Sequence, residues 1–122
     1  MEHLDAELER CRPWIEAALN HGGDTHSFDD VVESVKKGAM QFWPAEDACA
    51  VTEIIPFPRK KVLHVFLAGG NAETIVDMNE SAESFAKMNG CSTISIVGRV
   101  GWKKALGKKG YSTPSAVLFK EL

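Results

Sequence analysis

The sequence predicts one mixed α/β domain of the α/β (α+β) class over residues 1–122, with helices on both faces of a mixed sheet. Three observations lead there. Two helical patterns open the chain before any β-rich run. Three β-rich runs then succeed one another through short links, as antiparallel neighbours do. The third of these ends in glycines and continues through a helical stretch, residues 71–90, into a further β-rich run. A helical connection of that length is what two parallel strands require.

Each element has its own signature. Leu4, Leu8, Cys11, Ile15, Ala18 and Leu19 recur at helical spacing through residues 3–20, with Pro13 predicting a kink or two abutting helices. His21-Gly22-Gly23 ends this pattern. Ser27 is a good N-cap, Asp29 and Asp30 suit a first turn, and Phe28, Val31, Val32 and Val35 form the apolar stripe of a second helix that Gly38 terminates. MQFWP (40–44) and CAVTEIIPF (49–57) read as a hairpin, and Pro58–Lys60 links it to KVLHVFLA (61–68). Beyond Gly69-Gly70 come the crossover helix, the strand CSTISIVG (91–98), a short basic helix within residues 99–111, and a closing strand, SAVLFKEL (115–122). Gly110 is placed as the residue after that helix, with Tyr111 folding back on it.

Composition bounds the function. The three cysteines, Cys11, Cys49 and Cys91, are odd in number and lack a CxxC, so buried or semi-buried thiols in a reducing compartment are expected. No apolar run approaches the roughly 20 residues of a membrane span, and MEHLDAELER is too acidic for a targeting peptide, which implies the cytoplasm. Residues 1–58 carry 4 Lys/Arg against 12 Asp/Glu, and residues 59–122 carry 10 against 5. This polarity can draw an anion to the C-terminal half, although most of the lysines read as the solvated face of a helix.

Few side chains suggest chemistry. Gly69-Gly70-Asn71 could bring backbone N–H groups of residues 70–73 to a phosphate; the bland alternative is a strand-to-helix turn needing permissive dihedrals. Arg99, at a strand-to-helix junction, could reach an anion or form a surface salt bridge. Glu53 and His64 are the polar candidates within strands, each either a hydrogen-bonded core group or a base. By alternation, Val62, His64, Phe66 and Ala68 share one face, as do Cys49, Val51, Glu53 and Ile55. HGGDTH (21–26) lacks the presentation of a metal site, so no metal is assigned.

The element order resembles the GNAT family of acyl-CoA-dependent N-acyltransferases over residues 13–122, with the family's first strand missing. LAGGNA (67–72) stands where that family carries its pyrophosphate loop, Q/R-x-x-G-x-G/A, and supplies the glycines without the Gln/Arg. Gly110-Tyr111 matches a Gly-aromatic pair, Arg99 stands at an Asn position, and Leu106 replaces the tyrosine that often serves as general acid. Leucine donates no proton, so acid catalysis from that position is excluded. The resemblance implies acetyl-CoA wedged between strands 61–68 and 91–97, its pyrophosphate on residues 69–73. It further implies Glu53 or His64 as base and N–H groups near Phe66, Leu67 and Ala68 on the thioester carbonyl.

The layout RPWIEAAL…HSFDDVVE…LHVFLAGG…GRVGW also resembles phage and prophage proteins. This suggests a second role, a catalytically inactive GNAT-like virion component or host-interaction module with phage or host proteins as partners. Such a module would lie in the host cytoplasm or the virion, and its acidic and basic halves could meet in a homo-oligomer. Nucleic-acid binding through Arg59–Lys61 and Arg99–Lys109, with Trp102 stacking, is disfavoured by overall acidity and by the face Trp102 shares with Ala105 and Leu106.

Overall fold

The computed structural model describes residues 2–98 and 102–122. Its elements run α1 (Glu2–His21), α2 (Phe28–Lys36), β1 (Gln41–Pro44), β2 (Ala48–Pro56), β3 (Lys61–Gly70), α3 (Ala72–Asp77), α4 (Asn79–Met88), β4 (Thr93–Ile96) and α5 (Lys103–Gly107). The strands form one sheet in the order β1-β2-β3-β4, antiparallel except for the parallel pair β3–β4. Among the described residues no helix is long and apolar enough to cross a membrane.

Two cores lie on opposite faces of this sheet. Leu8, Cys11, Ile15 and Leu19 of α1 and Phe28 and Val31 of α2 bury one face, against Cys49, Val51 and Leu67. Ala86 of α4 and Cys91 pack with Leu63 on the other, flanked by Ile54, Ala82, Phe85 and Ile94. All three cysteines are buried free thiols. Leu63 is fully buried in the smaller of these cores. Leu63→Ala is therefore expected to destabilise the domain by about 2–5 kcal/mol, measurable as a lower midpoint in urea.

Of the kink or two abutting helices that the sequence predicts at Pro13, the second is not seen: α1 is one helix through Pro13. Pro13 lies on the exposed side, so the carbonyl it frees can turn to water, while Cys11 and Ile15 on either side are fully buried on the sheet. Helix α2 begins with a capping box. The Asp30 N–H donates to Ser27 Oγ, and the Ser27 N–H donates to an Asp30 carboxylate oxygen. The crossover is two short helices rather than one, meeting at Met78.

The closing strand does not form. Residues 115–122 are irregular, and Val117, Leu118 and Phe119 are exposed. Strand propensity alone does not make a strand, which also has to pair with a neighbour. At the end of α5, by contrast, Gly110 adopts φ 94°, and the Tyr111 N–H donates to the Leu106 carbonyl at 3.3 Å, the helix stop read from the sequence.

Candidate active site

Among the described residues, strands β3 and β4 pair from Val62↔Thr93 to Val65↔Ile96. One further bond, Val97 N–H to the Val65 carbonyl at 3.2 Å, is the last between them among the described residues, and β3 runs on to Gly70. Where the pairing stops, β3 carries a bulge. Thr52 pairs with Val65 and Val51 with Leu67, so Phe66 has no partner in β2. An extra residue of this kind leaves its backbone groups out of the ladder and re-aims the side chains that follow.

The bulge corrects the expected alternation. Phe66 packs on the α1 face, its ring edge-on to His26 at 4.7 Å between centroids, and Leu67 joins the same core. Ala68 instead turns to the α3–α4 face, where it borders a small apolar cavity of about 40 Å³ with Val65, Ile75, Met78, Ile96 and Leu106. Strict period-2 reading puts Phe66 and Ala68 together; one inserted residue separates them.

His64, in the register before the bulge, is half-buried, with Nδ1 2.8 Å from Ser95 Oγ on β4. Glu53 is its cross-strand partner on β2. Burial lowers the His64 pKa from the ordinary imidazole value, and the Glu53 charge offsets part of that shift. The imidazole is thus neutral at pH 7. If Nδ1 keeps its hydrogen and donates it to Ser95 Oγ, Nε2 remains as an acceptor. The structure therefore brings Glu53 and His64 together and adds Ser95. No sequence signal could single out that serine, because only the parallel register sets it beside His64.

The glycine turn is built for close approach. A β-carbon on Gly70, which has φ 102°, would lie 2.4 Å from the Asp47 carbonyl oxygen, and one on Gly69 would lie 2.9 Å from the Trp14 Cβ. Several of its donors, however, are already engaged. Asn71 caps α3, its Oδ1 accepting from the N–H groups of Glu73 at 2.9 Å and Thr74 at 3.3 Å. The Asn71 N–H donates to the Asp47 carbonyl at 2.9 Å, and Thr74 Oγ1 donates to Asp47 Oδ1 at 2.7 Å. Of the donors expected from residues 70–73, those of Asn71 and Glu73 are therefore spoken for, with the Asp47 carboxylate beside them. Arg99, the remaining residue assigned to an anion, lies outside the described residues.

A third group borders the parting of the strands from below. Tyr111 Oη donates to Asn79 Oδ1 at 2.8 Å, and Asn79 Nδ2 donates to Glu83 Oε2. Burial raises the Tyr111 pKa, and the Glu83 charge adds to it. Trp102 packs over Gly98 and borders the apolar cavity with Leu106, as the face it shares with Ala105 and Leu106 implies.

No protein-family model matches the sequence, and no curated protein matches it. Solved structures do. The chain is similar to glucosamine-6-phosphate N-acetyltransferase from Arabidopsis thaliana, with 19% identity, 77% of this chain and 76% of that one covered, and a TM-score of 0.60. The tetramutant of the BH1408 protein from Bacillus halodurans aligns over 96% of this chain and 93% of its own, with 14% identity and a TM-score of 0.66. A GNAT family acetyltransferase from Staphylococcus aureus aligns over the same shares with 12% identity and a TM-score of 0.58.

The chain has the GNAT fold. Within it, the parting of β3 and β4 is the place where the sequence resemblance puts acyl-CoA. The residues there fit the two ends of that cofactor unequally. At the acyl end, Phe66, which has no register partner in β2, and the apolar lining from Val65, Ala68, Ile96 and Leu106 suit a thioester and its arm. At the pyrophosphate end, Asn71 fills the helix cap and Asp47 contributes a like charge, so phosphate would have to compete with both.

Proposed function

We propose that this chain is an acyl-CoA-dependent N-acyltransferase acting on an amine. The observation that carries the reading is that, among the described residues, β3–β4 pairing stops at Val65 and Ile96, opposite the bulge at Phe66. Bound acyl-CoA would supply an activated thioester carbonyl. The chain's own part is to hold and polarise it. Backbone N–H groups freed around Phe66 donate to the carbonyl oxygen, in a cleft whose apolar walls strengthen that bond. His64, neutral at pH 7 and oriented by Ser95, accepts the amine's proton at Nε2, and Glu53 across the ladder stabilises the imidazolium that results. Tyr111, the chain's single tyrosine, donates its hydroxyl hydrogen to Asn79 and is given no acid role.

Thermal denaturation tests the binding step. Millimolar acetyl-CoA is expected to raise the melting temperature, as any ligand of the native state does; an unmoved transition would sink the proposal. The capped turn gives a second expectation. Asp47→Asn removes the carboxylate beside the N-terminus of α3 and should tighten CoA binding roughly two- to five-fold at low salt, read by isothermal titration.

The same capped turn, with Leu106 in place of a tyrosine, favours a second reading, a GNAT-like module without catalysis. In that case the resemblance to phage proteins suggests a virion or host-interaction role. Its sign would be no acetyl-CoA shift in a protein that copurifies with particles.

A further inference from the structure

His64 and Ser95 line an open groove of about 760 Å³. Its other walls are the rest of β4, one side of α4 and parts of the chain between Trp102 and Val117. That volume is the size of a small-molecule site, roughly 300–1,000 Å³. The imidazole assigned as base opens into this space, so the amine it serves belongs there.

The charge of the groove is one-sided. Lys87 of α4, Lys103 at the start of α5 and Lys109 just beyond α5 line it, against one carboxylate, Glu83. Glu83 is engaged, since it accepts from Asn79 Nδ2. The three ammonium groups have no carboxylate partner among the described residues, where every ion pair lies within residues 5–37. Lysines scattered over a helix are simply solvated. Three of them around one concavity focus their field into it, and an anion there relieves their mutual repulsion.

That anion is not the cofactor's pyrophosphate. Lys87 stands in the last turn of α4, and the Asn89 carbonyl just beyond it accepts from Lys61 Nζ at 2.9 Å. Lys61 opens β3 and Gly70 closes it, so the glycine turn lies about 30 Å of strand away. His64 is much nearer, roughly 10 Å along β3 from the Lys61 end. The base and Lys87 therefore suit two ends of one small molecule.

We propose that the acceptor is a small amine carrying its own anionic group, a phosphate or a carboxylate, with the amine at His64 and the anion held by Lys87, Lys103 and Lys109. This names a substrate class for the acyl-transfer reading and rests on it. In the step, the amine nitrogen bonds to the acyl carbon and the carbon–sulfur bond breaks. One amine proton passes to His64 Nε2 and then to the departing sulfur, so the products are an amide and the free CoA thiol.

NMR titration of the full chain tests the proposal with three amines. At low salt, O-phosphoethanolamine or β-alanine is expected to bind about tenfold more tightly than ethanolamine, and the tighter of the two names the anion. Lys87→Ala combined with Lys103→Ala should remove that preference. Lys104→Ala, on the same helix as Lys103 but outside the groove's walls, should keep it. Equal binding of all three amines overturns the proposal. So does a preference that survives the double substitution, or one that Lys104→Ala removes as fully. The acyl-transfer reading fails separately, when the preference holds but acetyl-CoA neither shifts the melting temperature nor acetylates the bound amine.

Discussion

A Gly70→Val chain is expected not to fold at 37 °C. Gly70 has φ 102°, a region that β-branched residues essentially do not adopt, and its side chain would begin 2.4 Å from the Asp47 carbonyl oxygen and 2.6 Å from the Ala48 Cα. Both neighbours are backbone, held by the β2–β3 ladder at Ala48↔Gly70, so neither can yield cheaply. The strained dihedral costs about 1–3 kcal/mol and the overlap a similar amount or more. A domain of this size has a total stability of about 5–15 kcal/mol. Soluble yield and a urea midpoint measure the effect, and a Gly70→Val chain as stable as its parent would show that the turn is not as drawn. Gly107→Ala is the matching control, since nothing lies within 4 Å of a β-carbon there.

The second large effect is on catalysis. His64→Gln should lower kcat of the acyl transfer by roughly 10²- to 10³-fold, within the usual contribution of a positioned base, with little change in KM for the acyl donor. The parent's rate should rise with pH through the depressed imidazole pKa and then level off, and His64→Gln should lose that limb. Ser95→Ala leaves the imidazole in place but unoriented. It should lower kcat less and displace the same limb, whereas a merely structural serine would leave the limb where it was. A variant lacking His64 with full activity and an unaltered pH profile would remove it from the reaction.

Stability carries the same signature. Burial holds the folded His64 pKa below that of the unfolded chain. As pH falls through the ordinary imidazole range, near 6.5, the unfolded state takes up the proton first, so stability falls with it. The loss levels off once pH is below the depressed folded value. The slope of unfolding free energy against pH in this window should be shallower in His64→Gln.

Much of the fold was legible because it rests on local rules. Ser27 with Asp30 marked the start of α2, Gly110 the end of α5, and short links against a long helical one separated antiparallel from parallel pairing. Other features escaped for physical reasons. Pro13 breaks a helix in isolation, but burial of Cys11 and Ile15 on either side holds this one together. The bulge at Phe66 is an offset between two strands, and neither strand alone encodes an offset. SAVLFKEL has the composition of a strand, but a strand exists only where an edge receives it.

The candidate site divides along the same line. Glu53 and His64 could be chosen from sequence as polar residues on apolar strand faces; that they are direct partners was not readable until the hairpin register was set. The glycine turn announced close approach, and the structure shows what approaches, Trp14 at Gly69 and Asp47 at Gly70. The glycine turn, which the sequence left between a phosphate cradle and a plain strand-to-helix turn, leads into a helix whose end is capped by its own Asn71. Asparagine is a good N-cap on local grounds, so the signal was present, but Asp47, 24 positions earlier, was not in its window.

The sequence by itself determined the order of the elements as far as α5 and which connections are antiparallel or parallel, and through them a GNAT-like mixed sheet, because periodicity, caps and link lengths act over a few residues. Only the tertiary structure decided where β3 and β4 part, which face Ala68 takes, that Ser95 hydrogen-bonds His64, and that residues 115–122 are irregular. Each of these depends on the register or proximity of segments far apart in the chain, which packing sets and local propensity cannot.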